Sequence, residues 1–281
     1  GLLQPMFNAL RQSKSTDRAR YLVVDNASAD NSLDCLGSIC PEAVLLANKD
    51  NVGFGRANNQ LVEHLQGKYA LLLNTDAFVS DDTLAKTLEY METHPDCGIL
   101  GVRLVGRDGE MQPSCRYFPT PLNVFLVTAG LERFFPWVKL VDDLEWDHAS
   151  VRECDWVPGC YYLIRREVID KVGLFDPRYF LYYEEVDHCR RVKQAGWKVV
   201  YYPHTTVVHI GGESAKSVDK LNMDGRQLQT LQIESELLYF RKHHGVSGLA
   251  FHMLLVCLCD LILGLKALLK GRGRAAIKAC W

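Results

Sequence analysis

Two polar residues follow an apolar stretch at a place where they could hold a metal ion. The run from Tyr69 to Leu73 is typical of a buried strand, and Asn74 and Asp76 come directly after it. Carboxylate and amide oxygens suit Mg²⁺ and Mn²⁺, and diphosphate oxygens can complete such a shell. The same side chains could instead cap the loop before the next helix. The motif alone leaves both interpretations open.

The densest acidic cluster lies beside aromatic residues, in the segment FLYYEEVD, and consists of Glu184, Glu185 and Asp187. Apolar surroundings and like-charged neighbours raise the pKa of a carboxyl group, which suits a general base that takes a proton from a hydroxyl group. Acids are also frequent in the first turn of a helix, where they complement its dipole. Both interpretations can hold, because three acids exceed what capping requires.

Two weaker signals complete the set of candidate residues. Gly53 and Gly55 precede a helical pattern, so backbone amides could approach a phosphate there, with Arg56 adding positive charge. The fuller glycine-rich motif is absent, because Asn58 replaces its third glycine. His209 follows an apolar strand pattern, but a single histidine is usually structural, and its spacing alone does not select it.

Strands alternate with helices along most of the chain. Residues 2–12 have the spacing of an amphipathic helix, and the apolar run from Tyr21 to Val24 ends at Asp25 and Asn26. This alternation predicts an α/β fold with a mostly parallel sheet and helices on both faces. Ligands of such sheets bind outside the carboxyl ends of the strands, where these polar residues fall. Residues 102–150 lack a clear period and are interpreted as an acceptor-side insertion.

The composition excludes several classes of protein. The chain has 281 residues, 48% of them hydrophobic, which is enough for one large core. A formal net charge of −2 gives no general attraction to nucleic acid. Ten cysteines scattered through apolar stretches indicate free thiols in a reducing compartment. The first residues lack the pattern of a secretory signal, so we expect a cytoplasmic protein.

Five segments in order resemble the family 2 glycosyltransferases of the GT-A fold, especially the bacterial rhamnosyltransferase-like branch. They span roughly residues 21 to 215, and the longest of them is highly specific. Members of this family begin with a further strand that helps to hold the nucleotide base, and the resemblance therefore implies that the first β-strand is missing here. The segments are VVDNASADNS, NKDNVGFGRANNQ, LLLNTDA, GCYYLIRREVIDKVGLFDPRYFLYYEEVDHCRRVKQAGW and VVHIGGES.

The resemblance implies roles for the candidate residues. Glu185 matches the catalytic base, where Asp is more usual, and Asp76 looks like the last acid of a DXD-type motif whose first Asp is Asn74 here. His209 matches a histidine that completes the metal shell in some members, so the implied cofactor is Mg²⁺ or Mn²⁺. The residues assigned to donor binding are Asp25, Asn26, Asn51, Gly53, Arg56, Asn74 and Asp76. Those assigned to the acceptor side are Trp156, Gly159, Glu184 and Asp187.

The implied reaction moves a sugar from a nucleotide diphosphate to a hydroxyl group of a glycan or lipid-linked acceptor, with inversion at C1. The donor expected from the resemblance is dTDP-rhamnose or a UDP-sugar. Two alternatives stay open from the residues alone. A metal-dependent nucleotidyltransferase also places acids at strand ends, and a non-catalytic nucleotide-sugar-binding protein would fit a chain without the first strand.

The C-terminal region differs from the rest in composition. We predict a glycosyltransferase domain over residues 1–215 and a helical region over 216–281. Residues 246–265 are almost long and apolar enough to span a bilayer, but His252 and Asp260 interrupt them. These two residues share a helical stripe with Lys266 and Lys270, and this pattern predicts a helix over 246–270 lying in the membrane interface. Packing on the protein and a true span are the alternatives.

Overall fold

The computed structural model describes residues 1–211 and 226–269 of the chain. The long helical stretch Arg226–Leu269 is interrupted at Gly245, whose φ of 68° and ψ of −168° are not helical. We call its two parts α8 (226–244) and α9 (246–269). The other helices are α1 Leu3–Gln12, α2 Ser32–Ile39, α3 Phe54–Asn59, α4 Thr83–Thr93, α5 Pro121–Ala129, α6 Arg166–Val172 and α7 Glu184–Gln194. The strands are β1 Leu22–Asp25, β2 Val44–Ala47, β3 Tyr69–Leu73, β4 Ala77–Val79, β5 Cys97–Val105, β6 Met111–Gln112, β7 Arg152–Cys154, β8 Tyr161–Arg165 and β9 Lys198–His209.

The chain forms two compact units. The first contains residues 1–116 and 144–235, and the second contains residues 117–143 and 236–281, as far as these ranges are described. The predicted boundary at residue 215 lies outside the described residues. The predicted division also placed residues 117–143 with the first domain, whereas they form a unit with the C-terminal helices.

The first unit contains the predicted α/β core, but its strands are not mostly parallel. Strands β1 and β2 form a parallel pair, and a seven-stranded sheet has the order β3-β8-β5-β9-β4, with β6 on β5 and β7 on β9. Within that sheet the β5–β9 pair is parallel and the other pairings are antiparallel. The expected alternation fails at two strands: β4 follows β3 after the short turn Asn74–Asp76 and not after a helix, and β8 inserts antiparallel between β3 and β5.

The core of this unit lies between the sheet and its helices. Strand β5 is almost completely buried, and Met91 of α4 and Tyr161 of β8 pack in the same cluster. Arg165 is buried at the end of β8, where its guanidinium donates to the carbonyl oxygens of Met91 (2.7 Å) and His94 (3.0 Å). The predicted amphipathic helix is confirmed as α1, whose buried side is Met6, Phe7 and Leu10.

The second unit joins α5 to the C-terminal helices. Helix α5 begins with a capping box of Thr120 and Asn123. The chain reverses at Gly245, so that Glu236 of α8 and His252 of α9 meet in an ion pair of 2.9 Å. The residues of the predicted stripe differ in exposure: His252 is buried and contacts Glu236, while Asp260 is exposed.

Candidate active site

The turn between β3 and β4 holds Asp76 in the interior with one unsatisfied oxygen. The backbone N–H of Asn74 donates to the carbonyl of Cys160 (3.1 Å), and the carbonyl of Asp76 accepts from Ile210 (3.0 Å). These bonds attach the turn to β8 and β9. Asp76 is 1% exposed, and its Oδ1 atom has no hydrogen-bond partner among the described residues. A buried carboxylate oxygen in this state is costly unless a cation or donor completes it.

His209 faces that oxygen, with Nε2 at 3.7 Å from Oδ1 of Asp76. Gln112 holds the histidine at two points: its Nε2 donates to the His209 carbonyl (2.9 Å), and its Oε1 lies 2.9 Å from His209 Nδ1. Because Gln112 directs its oxygen at Nδ1, that nitrogen must carry the proton, which leaves a lone pair on Nε2. Burial lowers the pKa of His209, while Asp76 acts in the opposite direction.

A divalent cation fits this arrangement. A neutral imidazole nitrogen and a carboxylate oxygen converge without a proton to share, and the other imidazole nitrogen is fixed by a side chain, as is common for metal-binding histidines. Within residues 1–211 and 226–269 no group of three His, Cys, Asp or Glu residues could hold a metal. Further ligands would have to come from a substrate or water, as in sites completed by diphosphate oxygens.

The loops after β1 and β2 are tied together by Asn26. Its Oδ1 accepts from the backbone N–H of Val52 (3.0 Å) and from Asn48 (3.2 Å), and its Nδ2 donates to Asn51 (2.7 Å). Asp25 is buried, and its carboxylate accepts from the backbone of Ser28 (3.2 Å). The structure thus brings Asp25, Asn26 and Asn51 together. Many of their hydrogen bonds are made to other residues of the same loops.

Gly53 connects this loop to the segment before α7. Its φ is +88°, and a Cβ atom there would meet the carbonyl oxygen of Phe180 at 2.5 Å. The same carbonyl accepts from the N–H of Phe54 (3.0 Å). Arg56 donates from Nε to the carbonyl of Pro177 (2.6 Å), so part of its guanidinium holds a loop. Glycine is required here because the chain adopts positive φ against another backbone.

The adjacent acids Glu184 and Glu185 have different environments. Glu184 is 5% exposed, its Cβ lies near Gly55, and burial together with Glu185 raises its pKa to about 8. Glu185 retains partial exposure, and burial raises its pKa too, against the opposing effects of backbone hydrogen bonds and Arg116. The Oε2 atom of each carboxyl is buried without a hydrogen-bond partner in the described part of the chain. Two carboxyl groups this close together are more stable when they share one proton than when both are ionised.

Glu185 and Asp76 both lie near Cys160. Burial raises the pKa of the Cys160 thiol to about 12, and the carboxylates of Asp76 and Glu185 add to that rise. The backbone of Gly159 also interacts with the Glu185 carboxylate. The β3–β4 turn contacts Cys160 through the N–H of Asn74, and α7 contacts Gly159 through Glu185, so both approach the segment that precedes β8.

The backbone immediately before Glu184 is strained. Tyr182 and Tyr183 have φ values of 69° and 68°, in the left-handed region that residues other than glycine rarely adopt. Such conformations cluster at functional sites, where the surrounding structure holds them. They set the direction in which α7 starts, and hence where Glu185 is presented.

Other acceptor-side candidates are placed differently. Asp187 is fully buried and ion-pairs with Arg191 (2.9 Å), whose guanidinium also donates to the carbonyls of Val172 and Leu174. The structure therefore does not bring Asp187 to an accessible surface. Trp156 is buried beneath the guanidinium of Arg116, which lies 4.8 Å from the ring centroid.

Two further residues of the site, Gln112 and Arg116, carry no signal in the sequence that marks them as functional. Gln112 follows an Asp108-Gly109 turn that folds β6 back on β5, and this turn is a recognisable hairpin signal. That signal predicts a hairpin but not the histidine that it would meet. Arg116 lies in an irregular segment, and nothing local indicates its effect on Glu185.

The chain is similar to known proteins in its sequence and in its fold. The sequence model of glycosyl transferase family 2 matches residues 2–173. The chain is 29% identical over 216 residues to an N-acetylglucosaminyl-diphospho-decaprenol L-rhamnosyltransferase of Mycobacterium tuberculosis, covering 70% of this chain and 68% of that protein. It is 26% identical over 225 residues to the rhamnosyltransferase WbbL of Escherichia coli, covering 74% of this chain and 80% of that protein.

Solved structures show the same fold at low sequence identity. The mannosyltransferase PcManGT of Pyrobaculum calidifontis, in complex with GDP-Man and Mn²⁺, has a TM-score of 0.52 at 15% identity and covers 99% of this chain and 80% of its own. TarS of S. aureus has a TM-score of 0.53 at 13% identity and covers 74% of this chain. The chain spans about a third of the TarS chain, 34%.

These findings confirm the fold class and the enzyme class expected from the resemblance, and they do not favour a nucleotidyltransferase or a non-catalytic binding protein. A polypeptide with this α/β core and a family match over residues 2–173 belongs to glycosyl transferase family 2, with a GT-A fold.

Proposed function

We propose that the chain transfers a sugar from a nucleotide diphosphate to a hydroxyl group of a glycan or lipid-linked acceptor, with inversion at C1. The observation that carries this proposal is that the turn holding Asp76 and the first turn of α7 holding Glu185 both contact the Gly159–Cys160 segment, through the N–H of Asn74 and through Glu185. It combines a candidate metal-binding carboxylate and a candidate base in one region of the first unit.

Glu185 is the proposed base, and Glu184 is not. Glu184 is the more buried of the two, and its pKa of about 8 keeps it protonated at neutral pH. Because a neutral Glu184 places no negative charge beside Glu185, Glu185 can ionise and take the proton of an acceptor hydroxyl. The oxygen then forms a bond to C1 as the bond from C1 to the diphosphate breaks on the opposite face, which inverts the configuration.

The donor is proposed to bind across the joined loops after β1 and β2 and the turn after β3. Asp25 and Asn26 would contact the base or ribose, Gly53 and Arg56 would approach the phosphates, and Asn51 belongs to the same donor site. Asp76 with His209 would hold Mg²⁺ or Mn²⁺. When bound, the cation neutralises charge on the departing diphosphate. Gln112 keeps the imidazole of His209 turned toward Asp76, and Asn74 anchors the turn through its backbone.

We propose dTDP-rhamnose as the first donor to test, with UDP-sugars second. The support is the name of two curated relatives, both rhamnosyltransferases, at 29% and 26% identity. A lipid-linked acceptor is supported by the relative whose name specifies a decaprenol-linked substrate. We further propose cytoplasmic action at the inner face of the membrane, with peripheral contact through the C-terminal helix.

Transfer assays with Glu185→Gln test this proposal. Loss of the base is expected to lower kcat by on the order of 10² to 10⁴ while donor binding persists. Glu63→Gln serves as the matched control, since Glu63 is 79% exposed and lies on the surface. Donor binding is followed separately by the rise in melting temperature with nucleotide sugars, with and without Mn²⁺. Equal product from wild type and Glu185→Gln would remove the base assignment.

A further inference from the structure

We propose that the second unit docks on an anionic lipid bilayer through one surface made of the outer side of α9 and the aromatic segment 134–137. We call this the lipid-facing surface. It deepens, and rests on, the proposed action on a lipid-linked acceptor. In this arrangement the helix lies in the outer part of one leaflet and does not cross the bilayer.

The outer side of α9 is apolar and has no protein partner covering it in the described chain. Leu254 and Leu261 are 64% and 65% exposed. At about 100° per residue, the exposed positions of α9 cover roughly half of its circumference. The exposed large apolar residues on this helix are Val246, Phe251, Met253, Leu254, Val256, Leu258, Leu261, Leu265 and Leu268. The exposed Asp260 falls near the Val256 edge of this face, and the remaining apolar area is still large enough to mark a contact site.

The opposite side of α9 is held by protein. His252 pairs with Glu236 and packs on the Phe240 ring at a centroid distance of 4.2 Å, and Leu255 and Cys259 are buried. Near its end, Lys266 donates to the carbonyl of Ala129 (2.6 Å). The stretch Gln227–Leu268 is long and apolar enough to cross a membrane by length and composition. To cross, the helix would nevertheless have to carry the buried His252–Glu236 pair into the hydrocarbon, where ionisable groups are costly.

The aromatic segment lies at the Lys266 end of this helix. Gly130 is close to Lys266 Nζ, because a Cβ atom at Gly130 would meet it at 3.6 Å. Phe134 and Trp137 follow Gly130 by four and seven residues, which in extended chain reach at most about 14 Å and about 25 Å. Trp137 is 74% exposed and Phe134 is 56% exposed. Exposed aromatic side chains of this kind favour the boundary between headgroups and hydrocarbon.

The charges around this surface favour anionic headgroups. The Arg133 guanidinium lies 4.6 Å from the Phe134 ring centroid, and Lys139 and Lys266 belong to the same unit. In sequence, Lys270, Arg272, Arg274 and Lys278 follow α9 without an intervening acid. Glu132 and Asp260 are exposed acids in this unit, and they oppose the attraction locally. By sequence, the stretch after α9 is cationic, and such stretches favour anionic lipids.

Vesicle flotation with the full chain tests the apolar side. Wild type is expected to float with vesicles of phosphatidylglycerol and phosphatidylcholine. Leu254→Glu and Leu261→Glu are each expected to lower the bound fraction, on the order of tenfold in partition coefficient. Leu144→Glu is the matched control, because Leu144 is an equally exposed leucine, 70%, in the first unit. Wild type that stays unbound, or equal losses for Leu144→Glu and Leu261→Glu, would overturn the proposal.

A thiol on the same side of α9 gives a second, site-specific readout. Cys257 is exposed, while Cys35 in the first unit is partly accessible. In a Cys280→Ser background, vesicles are expected to slow the labelling of Cys257 by a water-soluble maleimide at least tenfold and to leave the labelling of Cys35 unchanged.

For the aromatic segment, brominated lipid is expected to quench the tryptophan fluorescence of the wild type more than that of Trp137→Phe. Unchanged Cys257 labelling on bound protein, or equal quenching of both proteins, would contradict the surface.

These measurements do not depend on catalysis. A chain that floats and protects Cys257 but transfers no sugar would refute the proposed function alone. A chain that transfers sugar to a soluble acceptor but does not bind vesicles would refute the lipid-facing surface alone. If the wild type forms dimers without lipid and Leu261→Glu does not, the surface binds a second copy of the chain. That result also overturns the inference.

Discussion

The Nε2 atom of His209 lies 3.7 Å from Oδ1 of Asp76, two residues separated by 133 positions that meet because β4 pairs with β9. In the register of that pair, Ala77 lies opposite His209. The imidazole is fixed from its other side by Gln112, which comes from the β6 hairpin. Three segments of the first unit therefore build one candidate metal site, and its properties can be measured.

Gln112→Ala is expected to weaken Mn²⁺ binding. The side chain holds the His209 tautomer and orientation, and loss of such a partner typically costs 10- to 100-fold in metal affinity. Mn²⁺ titration followed by electron paramagnetic resonance measures this without any substrate turnover. Gln4→Ala, an exposed residue of α1, is the matched control and should bind as wild type does. Unchanged Mn²⁺ affinity in Gln112→Ala would show that Gln112 does not support metal binding.

Gly53→Ala is expected to destabilise the protein and to weaken donor binding. The new methyl group would lie 2.5 Å from the Phe180 carbonyl oxygen, at a φ of +88° that alanine adopts at a cost. Strain of this kind costs on the order of 1 to 3 kcal/mol. Thermal unfolding measures it. Gly37→Ala in α2 is the control, because a Cβ there meets nothing within 4 Å, and helix propensity favours alanine. A melting temperature for Gly53→Ala equal to that of Gly37→Ala would contradict the close contact.

Glu184→Gln is expected to change how stability depends on pH. The folded-state pKa of Glu184, about 8, exceeds the ordinary value of 4.5. Below pH 4.5 the residue is protonated in both states, so its contribution is fully present there. As pH rises toward 8 the unfolded chain releases a proton that the folded chain keeps, and stability falls by up to a few kcal/mol.

Glutamine does not titrate, so the melting temperature of Glu184→Gln should rise relative to wild type between pH 5 and about pH 8.5. Differential scanning calorimetry at several pH values measures this difference. Glu63→Gln, at a residue that is 79% exposed, is the control. Parallel curves for wild type and Glu184→Gln would show that Glu184 is not held in its protonated form.

Arg116→Gln is expected to move the acid limb of the pH–rate profile to higher pH. Burial raises the pKa of Glu185, and Arg116 partly offsets this rise. A base works only when ionised, so kcat should increase with pH through this pKa. Without the guanidinium, the pKa of Glu185 rises further. Arg107→Gln, at an exposed residue, is the control. A profile that stays in place, or moves to lower pH, would contradict the influence of Arg116 on Glu185.

Local patterns in the sequence were sufficient to predict several features correctly. The apolar spacing of residues 2–12 predicted α1, and the strand that ends at Asp25 is observed as β1. Polar residues at strand ends identified the turn from Asn74 to Asp76, and the acids of FLYYEEVD lie in the first turn of α7. These features depend on the periodicity of a helix or strand and on residues adjacent in the chain, so a single sequence contains them.

The tertiary structure determined how those residues differ from one another. Glu184 and Glu185 are adjacent and identical in type, yet their burial differs because Gly55 and Phe175 pack on one side of α7. Asp187 is buried in an ion pair with Arg191, and His252 is buried in contact with Glu236. Exposure, pairing and pKa arise from contacts between segments that are distant in the chain. Periodicity predicts which face of an element is apolar, but it does not specify which partner will cover that face.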